Sequence, residues 1–398
     1  MNAPKNYLSV DIKPTAATID LVKKFGSKVR AESLAAGEAI AAVLNTPVLQ
    51  NILQAPVLSN LFKFGNPITE QDIPAIPLAD FFDVRQRNFL NVWTAVQAGG
   101  LASNKVGAAS DLYVDLFDLY SAVHFEKKWA RAGRTASVAN SLTRLAQEVL
   151  IKRNNNAAYV VMGSLAGSRI DGNSANVATT NLQVVRSNVA DFFGMDDLNT
   201  MMTLYTSICA SWVGGTPIGI NAELTDILGS PVLMSKIRGI SYNPQNVTAQ
   251  IGAVGTPNST STAMAAPDAV RAAAWSAAGN FNFLGLNFHQ YNEFGITTPG
   301  SYKGIYNQVF ADAAGSTAFA GYGGVGSAVF SPTTEEIVIG LNSAMFDLCG
   351  LRRSDNPSQW SLSADDQWST RDDKAGFYGS ITEGFASVDN RAKLALAF

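Results

Sequence analysis

The stretch Ser137-Val138-Ala139-Asn140-Ser141-Leu142-Thr143-Arg144-Leu145-Ala146-Gln147-Glu148-Val149-Leu150-Ile151-Lys152-Arg153 decides how this chain is read. Val138, Leu142, Leu145, Ala146, Val149 and Leu150 fall on one face at helical spacing and predict a helix over 137–153. Ser137 is the expected N-cap, and Asn154-Asn155-Asn156 the expected end. Arg144–Glu148 and Glu148–Lys152 stand four apart and support the helix electrostatically. From residue 127 onward the stretch holds Lys127, Lys128, Arg131, Arg134, Arg144, Lys152 and Arg153 against Glu148 alone. These seven are the candidate contact residues, either to the phosphates of nucleic acid or to acidic groups of the same or adjacent subunits. No helix-turn-helix, RNA-recognition or zinc-finger signature accompanies them, so a nucleic-acid contact would be non-specific.

Upstream, residues 81–134 read as β-rich. Phe89–Gln97 is one expected strand, the small-residue run 98–110 a loop, and Tyr113–Trp129 the returning strand, with a helical alternative over Asp111–Val123. Residues 1–80 read as an arm. Leu21, Val22, Phe25 and Val29 follow helical spacing among Lys23, Lys24, Lys28 and Arg30, which predicts a basic amphipathic helix docked on its own protein or a neighbour. A second helix is expected over Ser33–Leu44. Pro47-Val48-Leu49-Gln50-Asn51 and Pro56-Val57-Leu58-Ser59-Asn60 predict two short helical turns. Downstream, 182–213 reads as helical and buried, and 335–398 as β-rich. Gly239–Pro267 and Ala313–Thr334 carry no formal charge, as expected of wide contacts with other chains or of flexible surface loops.

The 398 residues are 47% hydrophobic and only 15% charged, with 33 Gly and a net charge of −3. Disorder is excluded, because it needs low hydrophobicity and high net charge. A globally basic nucleic-acid binder is excluded too. The low charge fraction suits a surface covered by other subunits. Cys209 and Cys349 give neither a disulfide framework nor a zinc pattern. Met1–Pro14 has no apolar signal-peptide core, and the uncharged run 198–222 is too polar to span a membrane.

Catalytic motifs fail one by one. Gly321-Tyr322-Gly323-Gly324-Val325-Gly326 matches GxGxxG, but Pro332 follows too soon for the helix that a dinucleotide site needs. There is no phosphate loop and no nucleophile elbow. His124 and His289 read as structural or surface histidines, and Asp365-Asp366 and Asp372-Asp373 as solvated acids. No cofactor, metal site or enzymatic activity is expected.

The order of elements resembles the major capsid protein of tailed bacteriophages, the fold shared with encapsulins: an N-terminal arm, an extended β flap, a basic return Phe125–Gly133, one long helix, a mixed centre and a β-rich end. Two phrases carry a further likeness, Ile227-Leu228-Gly229-Ser230-Pro231-Val232-Leu233-Met234-Ser235 and Phe283-Leu284-Gly285-Leu286-Asn287-Phe288, together with Arg371-Asp372-Asp373-Lys374-Ala375-Gly376-Phe377. The resemblance implies an α+β fold. Its parts would be an arm at 1–80, an extended loop at 81–134, a peripheral domain with the spine helix at 135–180, an axial domain at 181–330 and a C-terminal return at 331–398. It implies a non-enzymatic protein that assembles with itself into hexamers and pentamers, and so into an icosahedral or prolate shell around double-stranded DNA. Portal, scaffold and decoration proteins would be its other partners, with no membrane. Assembly would take place in the host cytoplasm, and the mature location would be the virion. A phage tail sheath or tube is the alternative reading, and an enzyme with a Gly-rich cofactor loop a more distant one.

Overall fold

Alternating inward and outward residues make a ten-residue strand of Phe117–Glu126, and a long apolar stripe makes a 32-residue helix of Thr135–Ala166. The computed structural model describes residues 15–54, 58–65, 68, 73–79, 108–166, 184–187, 193–211, 223–242, 281–298, 303–314, 330–344, 347–353, 360–365, 373–388 and 392–398. Within these the chain forms α1 (Ala16–Phe25), α2 (Arg30–Gln54), a 3-10 turn (Leu58–Leu61), β1 (Lys63–Phe64), β2 (Ala75–Ala79), β3 (Ala108–Tyr113), β4 (Phe117–Glu126), α3 (Lys127–Arg131) and α4 (Thr135–Ala166). Then follow β5 (Val184–Arg186), α5 (Met195–Ser211), β6 (Asp226–Gly229), α6 (Pro231–Tyr242), β7 (Phe281–Phe283), β8 (Leu286–Gln290) and α7 (Ile305–Ala314). The last are β9 (Ile337–Leu341), β10 (Leu348–Arg352), β11 (Ser361–Asp365), β12 (Lys374–Ser387) and β13 (Lys393–Ala397). The class is α+β, as expected, and the elements gather into two units.

The first unit takes in residues up to Ala75, Tyr113–Ala158 and Leu348–Ala386. Its sheet is organised around the 14-residue β12, which pairs antiparallel with all of β4 and with β11, while β1 runs parallel to β10. Phe117, Leu119, Val123 and Phe125 of β4 pack with Phe377 and Ile381 of β12 into one core with Val22, Phe25, Ile40 and Leu44 of α1 and α2 and the stripe of α4. Each such side chain contributes about 1.5–3 kcal/mol when fully buried. Gly379 is needed here because a Cβ at this position would fall 1.9 Å from the Trp360 ring, which is fully buried.

The amphipathic α1 therefore docks on its own protein through Val22 and Phe25, while Val29 stays exposed. Asp111–Val123 is strand rather than helix along β3 and β4. Several expected boundaries move. The Pro47 phrase does not start a separate turn, because α2 runs through it. Ala41, Leu44 and the fully buried Val48 continue one face, and that packing outweighs the N–H that proline lacks. The second phrase does form a short 3-10 turn. Likewise α4 starts before Ser137 and runs past the three asparagines, since Ala157, Ala158, Val161, Met162 and Leu165 extend its buried stripe. Asn154 is itself buried and its Oδ1 accepts a hydrogen bond from the Ser59 N–H.

The second unit takes in Ile76–Leu112, Tyr159–Asp347 and Ser387–Phe398. Its six-stranded mixed sheet has the order β5-β13-β9-β6-β8-β7. All five residues of β9 and of β13 are buried, as continuous apolar runs require at the middle of a covered sheet. Leu198, Met201 and Tyr205 of α5 and Leu233, Met234 and Ile237 of α6 close the core over it. The phrase at 227–235 is a strand-to-helix turn in which the Ser230 hydroxyl accepts from the Leu233 N–H, with Pro231 opening α6. The phrase at 283–288 is a hairpin, with Leu284 and Gly285 both at positive φ. The expected helix over 182–213 begins only at Met195, because Val184–Arg186 pairs with β13 as β5. The expected strand Phe89–Gln97, the Gly321–Gly326 motif and the uncharged run beyond Tyr242 lie outside the described residues.

Candidate subunit and nucleic-acid interface

The seven predicted contact residues divide sharply by burial. Arg153 is fully buried in the first unit. Its Nε donates to Glu383 Oε1 of β12 at 2.7 Å and its Nη1 to Asn60 Oδ1 at 2.8 Å. The guanidinium also stands 5.6 Å from the Phe64 ring centre and 5.9 Å from that of Phe385. Arg352 lies over the same Phe64 ring at 3.4 Å. Burial, and then the neighbouring Arg153, bring the pKa of Arg352 down to about 10. Burial also pushes Glu383 above the usual carboxylate range, against the attraction of Arg153. Arg153 is thus a core residue tying α4 to β12 and the 3-10 turn, not a surface contact.

Lys127 is corrected in the same way. It is 2% exposed, its Nζ lies 3.4 Å from the Ser27 carbonyl, and burial lowers its pKa. Arg131 is half-buried; its Nε donates to the Gly26 carbonyl at 2.9 Å and its Nη2 pairs with Asp373. Both side chains meet the C-terminal end of α1, where carbonyls lack helical partners and a cation is favoured. Only Lys128, Arg134, Arg144 and Lys152 are exposed. Lys128 pairs with Glu126, Arg144 with Glu148 at 3.3 Å, and the Arg134 guanidinium lies 4.4 Å over the Trp129 ring.

The cations at 23–30 lie far from this group in the sequence, and Lys23 meets it at Gly133. This residue has φ +68°, and a Cβ on it would lie 3.1 Å from Ile19 Cγ2 and 3.3 Å from Lys23 Cε. The positive charges at 23–30 were visible in the sequence; their neighbour across a hundred residues was not.

Elsewhere, His289 Nε2 contacts Asp226 Oδ1 at 2.9 Å in the second unit. Burial would raise the Asp226 pKa, but hydrogen bonds from His289, Thr225 and Ser343 outweigh it and hold the carboxyl at about 2. His124 is exposed on β4, and Asp373 is engaged by Arg131. Lys393 is buried against Asp347 at 2.7 Å. Among the described residues no group of three or more His, Cys, Asp or Glu side chains is placed to hold a metal ion, and no helix is long and apolar enough to cross a membrane.

The chain is similar to phage capsid and encapsulin shells. The capsid of cyanophage Pam1 matches at 12% identity and a TM-score of 0.48, over 85% of this chain and 88% of its own. The capsid of cyanophage P-SCSP1u matches at 11% identity and 0.45, over 86% and 88%. The SrpI encapsulin of Synechococcus elongatus matches at 10% identity and 0.44, over 86% and 87%. The likeness is one of fold, and no residue role is carried across it. No family model matches the chain, and no curated protein does.

Proposed function

We propose that this chain is the structural subunit of a closed shell, the major capsid protein of a tailed phage. In this reading it assembles into hexamers and pentamers, encloses double-stranded DNA and performs no catalysis. The observation that carries the proposal is the order of elements. A docked helical N-terminal segment is followed by the strand return β4, which runs directly through α3 into the 32-residue α4. A second unit with its own mixed sheet follows, and residues 348–398 supply strands to both units. The low charge fraction supports the same reading, because a subunit with several neighbours has most of its surface in contacts, where charge is depleted. On this reading the domain limits expected from the resemblance describe functional parts: an arm, a flap, a spine helix, an axial region and a return strand.

The test is to express the chain alone and together with its neighbouring genes, and to image the products by negative-stain electron microscopy. Closed shells, or rings of five and six subunits, are the expected result. Helical tubes would move the protein to a tail sheath or tube, and a homogeneous monomer under all conditions would remove the shell reading.

A further inference from the structure

We propose that the corner built by α1, the segment 26–30 that follows it, α3 and the Gly133–Arg134 link to α4 is a polyanion-binding surface that takes the phosphate backbone of double-stranded DNA. Two segments a hundred residues apart are locked together here. Arg131 Nε holds the Gly26 carbonyl at 2.9 Å, Lys127 Nζ approaches the Ser27 carbonyl at 3.4 Å, and Lys23 lies across Gly133. Lys127 and Arg131 are therefore props that join two cation-bearing segments. Lys23, Lys24, Lys28, Arg30, Lys128 and Arg134 are all exposed there, on a chain whose net charge is −3.

The carboxylates of the corner are already engaged within it. Asp20 pairs with Lys24 at 3.1 Å, Glu126 with Lys128 and Asp373 with Arg131, while Glu32 accepts from the Ser27 hydroxyl at 2.7 Å. Lys24 and Lys128 are paired in turn, so the surface offers the exposed Lys23, Lys28 and Arg134, the last lying over the Trp129 ring. Contacts between protein subunits are poor in lysine, whereas neutralising a phosphate backbone needs dispersed cations and no fixed geometry. The observations therefore favour DNA over a second copy of the chain. The surface differs from the stripe read along 127–153. It gains the α1 cations, loses Arg153, and leaves Arg144 and Lys152 further along α4 outside it.

This inference rests on the shell reading for the origin of the DNA, the packaged genome, but its test is separate. The full chain is titrated into a labelled 30-base-pair duplex of arbitrary sequence, and binding is followed by fluorescence anisotropy across a salt series. Binding is expected to weaken steeply with salt. The triple variant Lys23→Gln/Lys28→Gln/Arg134→Gln should bind at least about tenfold more weakly at low salt, with a log–log salt slope shallower by about 2.7. The variant Arg144→Gln/Lys152→Gln should bind as the unmodified chain does. No duplex binding by the unmodified chain, an unaffected triple variant, or an equal loss in the Arg144/Lys152 variant would each overturn the proposal. So would loss of shells in the triple variant with duplex binding intact, which would assign the corner to a second copy. If the chain forms no shell yet loses duplex binding in the triple variant, the shell reading falls and this surface stands.

Discussion

Replacing Glu383 with Leu tests the buried charge network most directly. The Glu383 carboxylate is fully buried and accepts from Arg153 Nε at 2.7 Å, with Arg352 as the second cation of the cluster. Glu383→Leu leaves the fully buried Arg153 guanidinium without its counterion, beside the half-buried Arg352. Stranding one buried charge costs about 3–5 kcal/mol. Arg153→Met leaves Glu383 beside Arg352, and its carboxyl can also take a proton, so the cost should sit near about 3 kcal/mol. The double variant Arg153→Met/Glu383→Leu should cost no more than about 1–2 kcal/mol. Burial already outweighs the attraction between the partners, and an apolar pair of similar size is nearly neutral under that condition. Equilibrium urea unfolding of the purified protein, followed by far-ultraviolet circular dichroism, gives all three values and their coupling. A cost below about 1 kcal/mol for Glu383→Leu, or a double variant as costly as the two singles together, would refute the account.

Other expectations follow from single contacts. Gly379→Ala pushes a methyl into Trp360 and should cost about 1–3 kcal/mol, seen as a lowered Tm with altered tryptophan fluorescence. Gly133→Ala combines a left-handed backbone with contacts to Ile19 and Lys23 and should cost about 1–2 kcal/mol, read by the same melt. Asp226 has a folded pKa of about 2, below its unfolded value of about 3.9. Its contribution, about 2.6 kcal/mol at most, is therefore complete well above about pH 4 and fades as pH falls toward 2, so Asp226→Asn should flatten stability across that window. Arg144→Gln breaks an exposed pair and should change stability by less than about 0.5 kcal/mol.

The centre of α4 was legible because its apolar stripe is a local pattern: Val138 to Leu150 all lie on the buried face. Its ends were not. Ser137 and Asn154 carry the usual signs of a boundary, and the partner that lets Asn154 sit buried inside a helix, the Ser59 N–H, comes from a remote turn. The same limit governs the charges. Lys128, Arg134, Arg144 and Lys152 are as exposed as their types suggest, whereas Lys127 and Arg153 are buried because partners a hundred or more positions away meet them. Charge pattern along a chain records how many cations there are, and not which of them already have a counterion. The β-rich reading of 335–398 succeeded for the reverse reason: residues 337–341 and 394–397 are short apolar runs that pair with each other.

The strands supplied by residues 348–398 set a condition on synthesis. β12 holds the first sheet together by pairing with β4 and β11, and β13 lies between β5 and β9 in the second. While the ribosome is still making the preceding residues, both sheets lack a central strand, and the β5 and β9 edges stand open with apolar residues beside them. The nascent chain is then at its most aggregation-prone, and the demand falls on chaperones until residue 397 has emerged. The protein thus acquires its folded surfaces only after the sequence that builds them is complete.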